Sequence, residues 1–160
     1  MMERFEVVCR GIAETERVAA ALAPLLRPGD GLLLDGKLAA GKTLFVKALA
    51  RALGSADAVT SPTYAIAHFY ETPLGKLLHV DAYRLSGPAE FRDLGLDAWF
   101  AAAITVVEWG SIIAGELADP LTVEFDFVAG DDGARRLTFA AAGGRWDLAE
   151  LQRRIAERPA

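Results

Sequence analysis

Eight consecutive residues have the types and spacing to hold a polyphosphate: Gly36-Lys37-Leu38-Ala39-Ala40-Gly41-Lys42-Thr43. They fit G-x-x-x-x-G-K-[ST], the phosphate-binding P-loop. A triphosphate needs many hydrogen-bond donors at close range. Backbone N–H groups of a tight loop supply them, together with the free N–H groups in the first turn of the next helix. Gly36 and Gly41 let the chain turn where a side chain would block the phosphate or forbid the dihedral. Lys42 reaches the β- and γ-phosphates as a point charge, and the Thr43 hydroxyl is placed to hold Mg²⁺.

Such a loop works only between a strand and a helix, and the neighbouring sequence supplies both. Residues 31–35 (GLLLD) read as a short buried strand. Residues 43–53 carry apolar side chains at Phe45, Ala48, Leu49, Ala52 and Leu53, a helical spacing that Gly54 ends. Further strands are expected at 5–9, 64–70, 77–80, 104–107, 121–128 and 135–140, and helices at 14–26, from Pro88 and from Asp147. Runs 64–70 and 77–80 should form an antiparallel hairpin, as should 121–128 and 135–140 around a loop at 129–134. Glu150, three residues after Asp147, reads as a capping box. Strands and helices alternate early and hairpins come late. The expected fold is α/β, a P-loop NTPase three-layer arrangement: a mixed, mostly parallel sheet, helices on both faces, late antiparallel hairpins, and a single domain over 1–160.

In open α/β sheets ligands sit outside the carboxyl ends of the strands. Asp81 follows the run Leu77-Leu78-His79-Val80, and Glu108 follows Ile104-Thr105-Val106-Val107. An acid directly after a buried strand is how P-loop NTPases supply a second magnesium contact or position the attacking water, and either acid suits that role. Thr60-Ser61-Pro62-Thr63 follows the P-loop helix, where hydroxyls could approach a γ-phosphate as a switch; an ordinary Ser-Pro turn is the plainer reading.

Composition narrows the class. The chain has 160 residues, 52% hydrophobic and 24% charged, which describes a globular chain able to bury a core. A formal net charge of -5 argues against a general nucleic-acid binder. The single cysteine, Cys9, lies in an apolar run and reads as a buried, inert thiol suited to a reducing compartment. Met1-Met2-Glu3-Arg4 is not followed by an apolar signal region, and the longest apolar run, 98–107, falls short of a membrane span. The expectation is a cytoplasmic protein without membrane contact.

Five segments in order, LAAGKT at 38–43, VTSPTY at 59–64, DAYRL at 81–85, DLGLD at 93–97 and VEW at 107–109, resemble the bacterial TsaE family, also called YjeE. The resemblance covers about residues 14–109. It implies an ATPase needed for threonylcarbamoyladenosine modification of tRNA, with ATP and Mg²⁺ as ligands. Implied phosphate contacts are Gly36, Lys37, Leu38, Ala39, Ala40, Gly41 and Lys42. Implied metal ligands are Thr43 and Glu108, while Asp81 supports the metal or the attacking water. Lys42, Asp81 and Glu108 together form the implied catalytic set. Ser61 and Thr63 belong to a switch-like segment, Thr15 lies near adenine, and Trp109 sits beside the site. The implied partner is the TsaB–TsaD complex, which slow ATP hydrolysis resets between turnovers; tRNA is met only through that complex.

The chain departs from the family pattern at Lys37, where an acid is usual, and at Ala39, where glycine is. An alanine forced to positive φ costs about 1–2 kcal/mol. Leu44 replaces a small hydroxyl residue, and Gly110 stands where proline often follows the tryptophan. His68 and His79 show no metal-ligand spacing and read as structural or surface residues. Arg84 is either a phosphate or partner contact or a solvated turn residue. Trp99 and Phe100 read as core or interface. Arg135, Arg136, Arg145, Arg153 and Arg154 read first as a solvated basic face and second as a tRNA or protein contact. The competing functions are a P-loop small-molecule kinase, which would need a lid and an acceptor pocket, and a nucleotide-gated binding module without useful hydrolysis.

Overall fold

The computed structural model describes residues 2–37, 39–59 and 66–157. Its elements are β1 (Glu3–Cys9), α1 (Ile12–Leu22), β2 (Gly31–Gly36), α2 (Lys42–Ala52), β3 (Ala67–Thr72) and β4 (Gly75–Asp81). Then follow α3 (Pro88–Asp93), β5 (Ala103–Glu108), β6 (Leu121–Val128), β7 (Asp131–Ala141) and α4 (Leu148–Ala156). Short 3₁₀ segments occupy Ala23–Leu25, Leu96–Trp99 and Gly110–Glu116.

All seven strands form one sheet in the order β1-β7-β6-β2-β5-β4-β3. Its middle is parallel: β6 with β2, β2 with β5, and β5 with β4. Its margins are antiparallel: β1 with β7, β7 with β6, and β4 with β3. The sheet is thus parallel in half of its pairings rather than mostly so. Two of the antiparallel pairings have a local cause. Pro73-Leu74 and Ala129-Gly130 are two-residue connections, and a connection that short can only join antiparallel strands.

Side chains alternate between two apolar layers. Leu32, Leu34, Ile104 and Val106 face α1, α2 and α4 with Val18, Leu22, Phe45, Leu49, Leu148 and Leu151. Leu33, Leu78, Val80 and Val107 face the opposite side with Phe91 and Ile113. Helical or 3₁₀ segments therefore cover both faces, which is why β2 and β5 are apolar along nearly their whole length.

Several boundaries shift for identifiable reasons. The first helix ends at Leu22, and residues 23–25 tighten into a 3₁₀ turn around Pro24, which has no N–H to continue an α-helix. The β6–β7 connection is shorter than expected because Gly130, at φ 82°, makes the turn and a bulge after Phe127 absorbs the register change. β3 begins at Ala67; Tyr64 and Ala65 lie outside the described residues. Asp147 caps α4 by accepting from the Glu150 N–H at 3.0 Å, while the Glu150 carboxylate turns forward to Arg154. Half of the capping box is therefore used. Gly110 permits a close approach: a Cβ there would stand 2.8 Å from Leu33 Cβ, so glycine lets the 3₁₀ segment lie against β2.

Arg145 is not a solvated residue. Its Nε and one terminal nitrogen grip the two Asp30 carboxylate oxygens at 2.6 Å each, and Nη2 also donates to the Leu25 carbonyl. The guanidinium lies over the Trp146 ring at 4.2 Å. Asp30 is 6% exposed, so this forked pair joins the start of β2 to the last turn before α4. Arg145→Ala would leave the Asp30 charge buried and unpaired. We expect it to cost about 3 kcal/mol in urea unfolding, a value near wild type showing that the pair carries no net stability.

Candidate active site

β2, β4 and β5 run parallel, so their carboxyl ends share one edge of the sheet. Leu34 stands opposite Glu108, and Glu108 stands opposite Asp81. The chain leaves β2 at Gly36, whose φ of 150° and crowded surroundings exclude a side chain: a Cβ would lie 2.6 Å from the Phe125 carbonyl oxygen. It re-enters helix at Lys42 through Gly41, at φ 108°. The first-turn N–H groups of α2, which have no partner inside the helix, thus open onto the edge where Asp81 and Glu108 end their strands.

A cavity of about 400 Å³ occupies this edge. Thr15, Ala39, Ala40, Gly41, Lys42, Thr43, Asp81, Glu108 and Trp109 all line it. Gly36 and Lys37 meet the site through their carbonyls, which accept from the Lys42 ammonium at 2.5 and 3.0 Å. The Lys37 side chain is exposed. Leu38, Ser61 and Thr63 lie outside the described residues. A larger recess, of about 640 Å³, lies among β1, α1 and α4, but none of the motif residues borders it.

The Thr43 hydroxyl donates to the Glu108 carboxylate, 2.9 Å from one oxygen and 3.1 Å from the other. Asp81 accepts from the Tyr83 N–H at 2.9 Å instead. Burial pushes the Asp81 carboxyl above the usual carboxylate range; the Tyr83 N–H opposes this and the charge of Glu108 adds to it. Burial also pulls the Lys42 ammonium below the usual lysine value, against the attraction of Glu108, Asp35 and Asp81. The Lys42 nitrogen sits 4.0 Å from the Trp109 ring centroid, and the Tyr83 ring packs against the same indole with centroids 5.0 Å apart. Trp109 takes a left-handed backbone (φ 60°) and donates its N–H to the Leu34 carbonyl at 2.7 Å. That turn swings its indole from the end of β5 over the loop lysine.

Two hard oxygen donors, one hydroxyl and one carboxylate, suit a magnesium ion. Among the described residues no three His, Cys, Asp or Glu side chains cluster as a metal cage. A cation here would complete its shell with phosphate oxygens and water, the usual arrangement for this ion. Thr15, 5% exposed on α1, lines the same cavity with Gly11 and Arg135.

Two residues at the site escaped the sequence reading. His79 is fully buried and its Nε2 lies 2.6 Å from Glu108 Oε2. Its signal was parity: two residues before Asp81 on one strand, it must share the face of Asp81. Arg135, read as solvated, lines the cavity with Nη2 3.5 Å from the Ala39 carbonyl and its guanidinium over Phe127. The pairing of β6 with β2 carries the hairpin to the loop, and no local pattern announces that pairing. Arg84 is exposed, as a turn residue would be.

Ala39 adopts φ 65°, so the penalty foreseen for a non-glycine residue applies. Ala39→Gly relieves it but gives the unfolded chain more freedom; the net expectation is a gain of up to about 1 kcal/mol in chemical unfolding. A loss of stability in that measurement would show the turn to be unstrained.

The likeness to known proteins extends across sequence and fold. A family model described as "Threonylcarbamoyl adenosine biosynthesis protein TsaE" matches residues 9–137. The chain is 44% identical over 137 residues to the tRNA threonylcarbamoyladenosine biosynthesis protein TsaE of Streptomyces coelicolor, covering 81% of this chain and 92% of that one. To the protein of the same name from Bacillus subtilis it is 39% identical over 136 residues, covering 84% of each. The crystal structure of Bacillus subtilis YdiB superposes with a TM-score of 0.80 at 32% identity, covering 96% of this chain and 97% of that one. The strands, the loop between β2 and α2, and this breadth of similarity lead to one conclusion: the chain belongs to the TsaE family.

Proposed function

We propose that this chain is a P-loop ATPase acting in tRNA threonylcarbamoyladenosine synthesis, one nucleotide-binding domain built on the three-layer fold of that class. The observation that carries the reading is the Thr43–Glu108 contact at the mouth of α2, beside Lys42 and the glycine-framed loop. An anion-binding helix start, an ammonium and a paired hydroxyl and carboxylate are the parts that phosphoryl transfer to water requires.

In this reading the loop from Gly36 to Lys42 and the first turn of α2 surround the β- and γ-phosphates. Lys42 leaves the Gly36 and Lys37 carbonyls for the phosphate oxygens. Thr43 and Glu108 hold magnesium, which when bound supplies positive charge against the phosphates and the developing oxyanion. Asp81, beside Glu108 and more basic than an exposed aspartate, orients the attacking water and accepts its proton. Thr15 meets the nucleoside end. Trp109 covers the ammonium and excludes water. Ser61 and Thr63 form the γ-phosphate switch.

The relatives' names place them in threonylcarbamoyladenosine synthesis, and the same role is proposed here. The chain serves as a coupling factor: it binds the TsaB–TsaD complex in its ATP state and releases it after slow hydrolysis, reaching tRNA only through that complex. Nothing in the described residues favours a kinase. The span from Asp81 to Glu108 holds only α3 and a 3₁₀ segment, with no inserted lid.

Lys42→Ala is expected to weaken ATP binding by about 10–100-fold in calorimetry, the loss of a charge-assisted contact; unchanged affinity would remove the shared premise of every nucleotide reading. Glu108→Ala and Asp81→Ala should each abolish phosphate release. Wild-type rates in both would show that neither carboxylate carries the hydrolysis, whereas no release above background from the wild type would leave only a binding module. Retention on immobilised TsaB–TsaD should need ATP, and equal retention without nucleotide would contradict the coupling role.

A further inference from the structure

We propose that His79 is a positioning residue for Glu108. It anchors one carboxylate oxygen so that the group keeps facing Thr43, and it acts on the cation through Glu108 rather than by touching it.

His79 stands in the middle of Leu77-Leu78-His79-Val80, where each flanking residue is fully buried and apolar. A leucine would fill the same space without a polar ring to satisfy. Burying an imidazole there is unfavourable unless both nitrogens find partners. Both do: Nε2 lies 2.6 Å from Glu108 Oε2, and Nδ1 lies 3.2 Å from the Tyr70 hydroxyl. Tyr70, 4% exposed, is in turn 3.3 Å from His68 Nδ1.

The register explains the aim. His79 sits opposite Val106 on β5, so Glu108 is its diagonal neighbour on the same face. Asp81 stands directly opposite Glu108 but is bonded to the Tyr83 N–H. Glu108 is therefore held from two sides, by Thr43 from α2 and by His79 from β4. The ionised carboxylate has no proton to give, so His79 Nε2 carries the hydrogen. With Nε2 turned to Glu108, Nδ1 faces the Tyr70 hydroxyl, so that His68, Tyr70 and His79 form one row ending at the carboxylate. A partner behind a metal-binding carboxylate fixes its rotamer and raises its strength as a ligand.

This inference rests on the reading of Glu108 as a metal ligand, and the test separates the two. Nucleotide affinity is measured by calorimetry in EDTA, and Mn²⁺ affinity of the ATP-loaded protein by electron paramagnetic resonance. His79→Leu should weaken Mn²⁺ binding by about tenfold or more while leaving the EDTA value within about twofold. His79→Gln, whose amide can donate from the Nε2 position, should restore most of the Mn²⁺ affinity. Tyr70→Phe, which keeps the apolar packing, should lose part of it. Equal losses in both measurements, an unchanged Mn²⁺ affinity, or failure of the glutamine to restore it would overturn the proposal in favour of a packing role. If His79→Leu does not fold, Tyr70→Phe carries the same comparison, and an unchanged Mn²⁺ affinity there would overturn it. Glu108→Ala is the control: with no loss of Mn²⁺ affinity there, the metal-ligand reading itself fails, and the role of His79 with it.

Discussion

The parallel alignment of β2, β4 and β5 is the constraint on which this molecule depends. It brings three chain segments, far apart in sequence, to a common edge, with β5 one inter-strand spacing from each of the other two. Glu108 is the register partner of both Leu34 and Asp81. A one-residue slip of β5 would turn Glu108 into the opposite apolar layer and bring Val107 under Thr43. The register is held by the apolar alternation of the strands, since Ile104 and Val106 must enter one layer while Ala103 and Val107 enter the other. Packing energy and site geometry are thus two consequences of one pattern.

Much of this was legible in the chain. The loop from Gly36 to Thr43 carries its own chemistry, and the runs after it are regular enough to place α2, β4 and β5. Asp81 and Glu108 could be named because an acid after a buried strand lies at a sheet edge whatever the remaining topology. The order of strands was not legible in the same way. Whether β6 pairs with β2 depends on long-range contacts that leave no local mark, and so does the antiparallel pairing of β1 with β7, which lowers the parallel share to half.

The residues whose contacts went unread share a cause. His79 and Arg145 were judged from their immediate surroundings, where a lone histidine or a scattered arginine has no special meaning, and their partners lie at Glu108 and Asp30, many residues away. Arg135 bonds the nearby Asp132 and Ala134 carbonyls, and its approach to Ala39 depends on how distant strands pair. Polar residues reveal themselves through pairs, and a single sequence gives one member at a time. Ala39 is the reverse case: the chain suggested that its cost depended on φ, and only the backbone could supply the angle.

Asp35, Asp81 and Glu108 all pull on the one ammonium of Lys42. Three carboxylates thus act on the loop lysine, while Arg135 lines the same cavity. A bare polyanion drawn toward the start of α2 meets repulsion from these carboxylates. The same anion escorted by a divalent ion arrives with much of its charge cancelled. If the proposed nucleotide site is right, such an edge would favour the chelate over the free nucleotide at the encounter itself, before any chemistry begins.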